Sequence, residues 1–430
     1  KSITIFFRIS LFCSNFAFKT IKSMKLHLFN PDTDLALACD DGHYIAPVQV
    51  RDMARDLSLL PLWYAGAGGK VWVTDRKAMD YASQMCLLFG LDAEAVADVG
   101  AIGGGPVEAA PWGWNRTVRQ SFLKLGVHGE DLPSDGWLDV YRRLASRQTS
   151  AALLHRWPLE GSYGGEAEVL YTLDECRAYA DGHGAVVFKA PWSSSGKGLC
   201  WCRADFSLSA GWCGRTLREQ GAVVASPIYN KVEDLALEFM AGEDGRMDFL
   251  GYSSFLTDGY GRYQGNRVLS ADAFEAYMTR YVAREEWERL RKGLIPLLAV
   301  YAEAGYRGPL GIDMMVCRRE NGGFFLHPMV EVNLRMNMGI VALRLAERVL
   351  GNGLSGRFDI VRYPSVGALR EAAGRILHEA PPQVREGRLV GGTLPLVPVT
   401  SESRFLAVLT VTSGQSESRL TVAEGALSLP

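Results

Sequence analysis

Two carboxylates and one amide are spaced along the chain so that they can share one surface. Glu331 and Asn333 stand two residues apart in the segment VEVN, which places both side chains on the same face of a strand. Asp313 lies in the preceding strand-like segment, GIDMMV, and the intervening turn sets it opposite Val330 or Glu331. An odd loop length or a bulge at Pro328 makes Glu331 its same-face partner. Hard oxygen ligands of this kind suit magnesium with bound phosphates, so we predict a magnesium site here.

Arg335 continues the same face, two residues beyond Asn333. A guanidinium at this position can hold a transferring phosphoryl group or a substrate carboxylate, and Arg335 is therefore a predicted catalytic residue. The structural alternative is a plain ion pair between Glu331 and Arg335. The apolar residues around the acids favour a functional role, because a buried carboxylate is costly unless it is paired or bound to a metal.

A second segment, VVFKAPWSSSGKGL, has the composition of a phosphate-binding loop. Lys189 ends a strand, and the small residues that follow free backbone N–H groups to contact phosphate oxygens. The predicted loop residues are Ser193, Ser194, Ser195, Gly196, Lys197 and Gly198, and Lys197 is also a predicted catalytic residue. The segment is not a Walker A motif, since Pro191 and Gly198 stand where that motif needs Gly and Ser or Thr. The structural alternative is a flexible hairpin loop with a solvated lysine.

In their order and spacing, these segments resemble the ATP-grasp superfamily over about residues 150–350. The resemblance implies that ATP is clamped between two α+β subdomains and that Mg²⁺ is required. It assigns Lys189 to the nucleotide phosphate and adenine, and residues 194–198 to the β- and γ-phosphates. By the same resemblance, Arg335 lies near the transferred phosphoryl group, and the magnesium ligands are Asp313, Glu331 and Asn333.

The hinge-like run VVASPIYNKVEDLALEF, at residues 223–239, departs from the pattern. Many members of the superfamily carry an acidic residue there that holds the nucleotide, whereas this chain has Ser226. Lys231, Asp234 and Glu238 are candidates to compensate. We therefore predict that Ser226, Lys231 and Asp234 contribute to nucleotide binding.

The elements that must position these residues indicate a mixed fold, α/β followed by α+β. Strands at residues 25–29 and 71–75 and helices at residues 48–60 and 76–90 predict an open α/β domain of the kind that precedes the ATP-grasp fold. Two antiparallel hairpins and helices near residues 137–148, 273–304 and 339–350 follow. The predicted divisions are 24–149 for the N-terminal domain, 150–225 for the small subdomain, 226–360 for the large subdomain and 361–430 for a C-terminal helix and β tail.

Composition excludes several classes of protein. The chain has 430 residues, 46 Lys and Arg, 48 Asp and Glu, and a formal net charge of −2, so nothing indicates a nucleic-acid or anionic-membrane partner. No apolar run is long enough to predict a spanning helix. The eight cysteines have no framework spacing, which is typical of reduced thiols in a cytoplasmic protein. The oligomeric state is left open.

Residues 1–23 differ in composition from the rest: they are rich in Phe and Ile and contain no Gly, Pro or acid. Met24 opens a clean strand pattern, and we expect the preceding segment to be a non-native or disordered extension. The rival interpretation is a secretory signal, but Arg8 interrupts its apolar run and no A-x-A site follows.

The resemblance implies an ATP- and magnesium-dependent ligase that joins a carboxylate to an amine through an acyl phosphate. The small-molecule carboxylate and amine cannot be named from the sequence. A kinase acting on a hydroxyl is an alternative, and Ser226 at the hinge leaves open a nucleotide-binding protein without catalysis. Asp32 and Asp34 follow the first strand, where they either contact substrate or cap a helix.

Overall fold

The computed structural model describes residues 24–98, 100, 106–193 and 198–412. The predictions made for residues 1–23 and for loop residues 194–197 lie outside this part of the chain. Within it, three sheets form the framework: one parallel and two antiparallel, besides a short two-stranded ribbon.

The N-terminal domain is an open parallel sheet, as predicted. Its strand order is β3-β2-β1-β4. The strands β2 and β3 are therefore added on one side of β1, and β4 is added on the other side. Its strands are β1 (Met24–Leu28), β2 (Gly69–Trp72), β3 (Ala93–Val96) and β4 (Val107–Pro111). The helices of this region are α1 (Thr33–Cys39), α2 (Val48–Asp56), α3 (Arg76–Phe89), α4 (Arg116–Lys124) and α5 (Asp135–Leu144).

The small subdomain is a four-stranded antiparallel sheet with two helices, in the strand order β5-β8-β6-β7. The helix α6 (Arg147–Leu154) leads into it. Its elements are β5 (Glu168–Leu170), α7 (Leu173–His183), β6 (Val186–Lys189), β7 (Leu199–Cys202), α8 (Ser207–Gln220) and β8 (Val223–Pro227). The predicted glycine-serine loop therefore connects two paired strands, β6 and β7.

The large subdomain is built on an eight-stranded antiparallel sheet in the order β13-β12-β9-β10-β11-β14-β18-β17. Both predicted hairpins, β9–β10 and β12–β13, are confirmed. The strands of this sheet are β9 (Lys231–Ala241), β10 (Met247–Thr257), β11 (Tyr263–Val268), β12 (Gly308–Arg318), β13 (Phe324–Asn333), β14 (Ser355–Arg362), β17 (Thr393–Pro395) and β18 (Phe405–Thr412). The other elements are α9 (Ala271–Met278), α10 (Arg284–Glu303), α11 (Met338–Arg348), α12 (Val366–Glu379) and a ribbon of β15 (Gln383–Arg385) and β16 (Arg388–Gly391).

Several predicted element boundaries were wrong. The helix predicted over 137–148 ends at Leu144, and the Ser146 hydroxyl then caps α6 by accepting from the Gln148 N–H at 3.2 Å. The helix predicted over 273–304 is two helices, α9 and α10. The helix predicted over 48–60 ends at Asp56, and a 3₁₀ turn containing Pro61 follows.

The apolar cores join the N-terminal domain to the large subdomain. One cluster contains Trp63 of the N-terminal domain together with Ile340 of α11 and Phe358 of β14. The Trp63 indole donates to the Leu396 carbonyl at 2.8 Å, which ties the first domain to the C-terminal tail. Among the described residues, no helix is long and apolar enough to cross a membrane, and the cysteines are free thiols.

Candidate active site

One cavity of about 330 Å³ lies where the three sheets approach one another. The carboxyl ends of β1 and β4 contribute one wall, β6 and β8 of the small subdomain another, and the strands β9 to β13 the floor. The carboxyl edge at a reversal of strand order is where open α/β sheets bind ligands. Of the predicted site residues within the described part of the chain, the cavity wall includes Lys189, Ser193, Ser226, Lys231, Asp234, Asp313, Glu331, Asn333 and Arg335.

The predicted metal ligands share one face of the β12–β13 hairpin. Asp313 lies directly opposite Glu331, and Gly311 lies opposite Asn333. The register shifts just beyond this pair, where Met315 pairs with His327: one residue of β12 and three residues of β13 lie between the two pairs, so β13 has two extra residues. This bulge includes Pro328, and its two extra residues place Glu331 directly opposite Asp313.

The electrostatics of this hairpin suit a cation. Burial raises the pKa of Asp313 well above its ordinary value, and the charges of Glu331 and Glu238 raise it further, while a hydrogen bond with Asn333 partly offsets them. A divalent ion bound between the two carboxylates would relieve this repulsion, and the Asn333 amide would add a neutral oxygen. Among the described residues, no group of three or more His, Cys, Asp or Glu side chains is placed so that it could hold a metal ion.

Sequence reasoning missed Arg147. Its guanidinium, at the first residue of α6, donates to Glu331 Oε2 at 2.8 Å, to the Ala190 carbonyl at 2.7 Å and to Ser193 Oγ at 2.6 Å. It therefore links a predicted metal ligand to the beginning of the predicted phosphate loop. Ser146 is the sequence signal that could have identified this helix start, because serine is a common N-cap residue. It caps α6, so a helix begins at Arg147, where sequence analysis had predicted that one ends.

Lys189 is the unpaired cation of the described cavity wall. Its side chain is buried at the end of β6, and no hydrogen-bond or ion-pair partner is present among the described residues. Burial lowers its pKa to about 8, and the nearby charge of Arg147 contributes to the decrease. An incoming phosphate would supply the missing counter-charge.

The described ends of the predicted loop lie close together. Ser193 is buried, and the Ala190 N–H donates to the Gly198 carbonyl at 2.9 Å. A Cβ at Gly198 would lie 2.1 Å from Ser193 Oγ, so this close approach requires glycine. The four predicted residues between them, Ser194, Ser195, Gly196 and Lys197, lie outside the described part of the chain.

At the hinge, Ser226 has the feature expected of a ligand contact. Its hydroxyl is buried in the cavity wall and has no hydrogen-bond partner among the described residues. Lys231 and Asp234 instead satisfy each other through an ion pair, and Thr257 donates to Asp234 at 2.6 Å.

Glu238 lies at the floor of the cavity and is fully buried. Asn337 donates to its Oε2 at 2.7 Å and Ser253 to its Oε1 at 2.8 Å. Burial raises its pKa to about 7, although both hydrogen bonds favour the charged form. A Cβ at Gly339 would lie 2.1 Å from Glu238 Oε1, which shows how tightly the carboxyl group is enclosed.

Arg335 is held by the N-terminal domain rather than by Glu331. Its Nε–H donates to Asp34 Oδ1 at 3.1 Å and an Nη2–H to Asp34 Oδ2 at 2.7 Å. Asp34 is in the first turn of α1, directly after the carboxyl end of β1. Asp32 is the N-cap residue of that helix, but its side chain makes no capping bond, and the Asp34 carboxylate accepts from Arg335.

These observations fit the predicted arrangement: a parallel N-terminal domain, a small antiparallel sheet that carries the lysine and loop, and a large antiparallel sheet that carries the acids. This mixture of one parallel and two antiparallel sheets is the fold class predicted from the sequence. Neither a comparison with protein-family models nor one with curated proteins gives a match.

Comparison with solved structures gives distant matches over most of the chain. Biotin carboxylase from Campylobacter jejuni matches with a TM-score of 0.47 and 13% identity, over 94% of this chain and 92% of that one. N5-carboxyaminoimidazole ribonucleotide synthetase from Thermus thermophilus matches with a TM-score of 0.46 and 11% identity, over 94% and 96%. N5-carboxyaminoimidazole synthetase from Staphylococcus aureus, in complex with ADP, matches with a TM-score of 0.46 and 12% identity, over 92% of this chain and 95% of that one. Matches at 11–13% identity assign no substrate to this chain.

Proposed function

We propose that the protein is an ATP- and magnesium-dependent ligase that joins a carboxylate to an amine through an acyl phosphate. The observation that carries the proposal is the convergence, in one cavity, of a buried lysine with no partner among the described residues, two opposed carboxylates with an amide, and an arginine. Phosphoryl transfer needs positioning and charge neutralisation more than it needs a proton-transfer pair, and these groups supply both.

Each side chain has a role that follows from its contacts. Lys189 neutralises nucleotide phosphate, and the Ser226 hydroxyl, which has no hydrogen-bond partner in the described part of the chain, binds the nucleotide at the hinge. Arg147 holds Glu331 and Ser193 in fixed positions, so the metal ligand and the loop keep their separation. Asp313, Glu331 and Asn333 would hold Mg²⁺, which supplies charge neutralisation on the phosphates when it is bound. Arg335 orients the carboxylate that receives the phosphoryl group.

The proposal is tested by measuring ADP and phosphate release with MgATP and pairs of candidate carboxylates and amines. A ligase releases both products, and forms an amide detectable by mass spectrometry, only when both co-substrates are present. ADP without phosphate, with a phosphorylated alcohol as product, would establish a kinase. Nucleotide binding without turnover for any pair would establish a binding protein and refute the ligase.

A further inference from the structure

The cavity extends from the acidic hairpin to the carboxyl edge of the parallel sheet, where its wall is apolar. Val50 and Met53 lie three residues apart on α2 and so face the same way. The full set of apolar wall residues at this end is Pro31, Val50, Met53, Trp112, Met338 and Ile360. A ligand part placed against this wall gains free energy from burial only if it is itself apolar.

The Asp34–Arg335 pair belongs to the same end of the cavity. Both side chains are 16% exposed, and the backbone next to Arg335 is bonded to the apolar wall, since the Met336 N–H donates to the Trp112 carbonyl at 2.8 Å. The pair places an anion and a cation side by side. Because the two charges neutralise each other, a ligand with one charge would leave one of them unpaired, whereas a ligand with adjacent ammonium and carboxylate groups can exchange partners with both.

Most cations of the described cavity wall are already paired with carboxylates, which disfavours a phosphorylated ligand in addition to the nucleotide. Arg147 is paired with Glu331, Lys231 with Asp234, and Arg335 with Asp34. Lys189 is unpaired, but it lies at the phosphate loop and is needed for the nucleotide. An acceptor phosphate would therefore have to separate Arg335 from Asp34 and leave Asp34 unpaired, whereas a zwitterion supplies a new partner to both side chains.

We propose that this end of the cavity binds an apolar α-amino acid as the carboxylate substrate. Its ammonium group contacts Asp34, its carboxylate contacts Arg335 and its side chain packs on Val50, Met53 and Trp112. The assignment rests on the proposed function for its chemistry. The carboxylate oxygen takes the γ-phosphoryl group as the bond to ADP breaks. The second substrate's amine then forms the C–N bond, phosphate leaves, and the amine proton passes to solvent.

The site is tested without turnover, by calorimetric titration of the full chain with leucine and with two fragments of leucine. The fragment 4-methylpentanoate lacks the ammonium group, and 3-methylbutylamine lacks the carboxylate. We expect leucine and methionine to bind, each fragment to bind at least about tenfold more weakly, and aspartate and lysine not to bind. Equal binding of a fragment, equal binding of the charged amino acids, or no binding of leucine and methionine would overturn the proposal.

Two substitutions test the assignment of the groups. Asp34→Asn should weaken leucine binding but leave 4-methylpentanoate binding unchanged or stronger, a reversal that general damage to the fold would not produce. Val50→Thr places a hydroxyl on the apolar wall and should weaken leucine severalfold. Val48→Thr, on the same helix but 61% exposed, is the matched control and should leave leucine binding unchanged. Equal effects of the two threonine variants would contradict the predicted wall.

Failure of this inference can be told apart from failure of the ligase proposal. Magnesium-dependent nucleotide binding without leucine binding would remove the amino-acid site and leave the ligase proposal in place. Leucine binding with no ADP formation, whichever amine is added, would keep the site and refute the ligase.

Discussion

Glu331 is flanked by charges of opposite sign, with Asp313 across the hairpin and Arg147 from α6. We predict that Glu331→Gln lowers kcat at least about 100-fold while nucleotide affinity changes little, because a positioned cation matters most in the transition state. The amide keeps an oxygen that can accept from Arg147, so the local geometry should survive. Steady-state kinetics measures kcat, and nucleotide titration measures the affinity.

Glu320→Gln is the matched control for this substitution. Glu320 is exposed in the turn of the same hairpin, and its substitution should change neither kcat nor nucleotide affinity. Unchanged turnover in Glu331→Gln would refute the magnesium assignment.

Glu238 makes stability depend on pH. Its folded pKa of about 7 lies above the ordinary 4.5, so the native state holds the proton more tightly than the unfolded state. Its contribution is therefore fully present below about pH 4.5 and is lost as pH rises toward 7 and above. From this shift the loss is up to about 3 kcal/mol, an order-of-magnitude figure.

We expect Glu238→Gln to remove this dependence, since glutamine stays neutral at every pH. Relative to the unsubstituted chain, the variant should gain stability between about pH 5 and about pH 8, measured by urea denaturation in magnesium-free buffer. A constant difference across that range would contradict the raised pKa.

At the scale of residues, sequence reasoning was limited by register and by distance along the chain. The sequence left the partner of Asp313 open between Val330 and Glu331, with a bulge at Pro328 as one condition for Glu331, and the structure pairs Asp313 with Glu331. Arg147 was missed because it is 184 residues from Glu331. The Asp34–Arg335 pair crosses 301 residues, and no local pattern encodes such a contact.

At the scale of elements, the geometry of the predicted phosphate loop gives a prediction for nucleotide affinity. Gly198→Ala would place a Cβ within 2.1 Å of Ser193 Oγ and 2.2 Å of Ser193 Cβ, so Ser193 must move away from Arg147. We expect nucleotide affinity to fall at least about tenfold, because both ends of the loop are displaced. Nucleotide titration is the measurement.

The steric cause can be checked by rescue. Adding Ser193→Gly to Gly198→Ala removes both clashing atoms and should restore part of the lost affinity. Gly211→Ala in α8, where a Cβ meets nothing within 4 Å, is the control and should bind nucleotide normally. Failure of the rescue would show that Ser193 is not the obstacle.

Elements formed by neighbouring stretches of chain were the ones predicted best. The β9–β10 and β12–β13 hairpins follow from alternation and a turn, both of which are local. The strands β3 and β4 were missed, because short strands of a parallel sheet are paired through distant partners and carry little pattern of their own. The helix boundary at Ser146 was missed because Ser146 directly follows the helix-forming residues Leu144 and Ala145 and is not preceded by Gly or Pro.

At the scale of the whole molecule, nucleotide should stabilise the protein only when magnesium is present. The opposed carboxylates at Asp313 and Glu331 repel free triphosphate until a cation bridges them. At a ligand concentration of about 100 times Kd, the gain is about 2.7 kcal/mol, enough to raise Tm measurably. A thermal-shift series with ATP, with ATP and magnesium, and with magnesium alone is the test. Equal shifts with and without the metal would contradict it.

The strand order of the large sheet also constrains how a growing chain can assemble. The hairpins from β9 to β13 can form once residue 333 has been synthesised. One edge of β11 then has no strand partner until residues 355–362 are synthesised and pair with it as β14. In its turn β14 stays open until residues 405–412 arrive as β18. A chain that stops before residue 405 thus retains an unpaired edge, which is a template for pairing with another copy. Removal of the C-terminal strand, far from the acidic hairpin, would therefore favour aggregation before any chemistry could be measured.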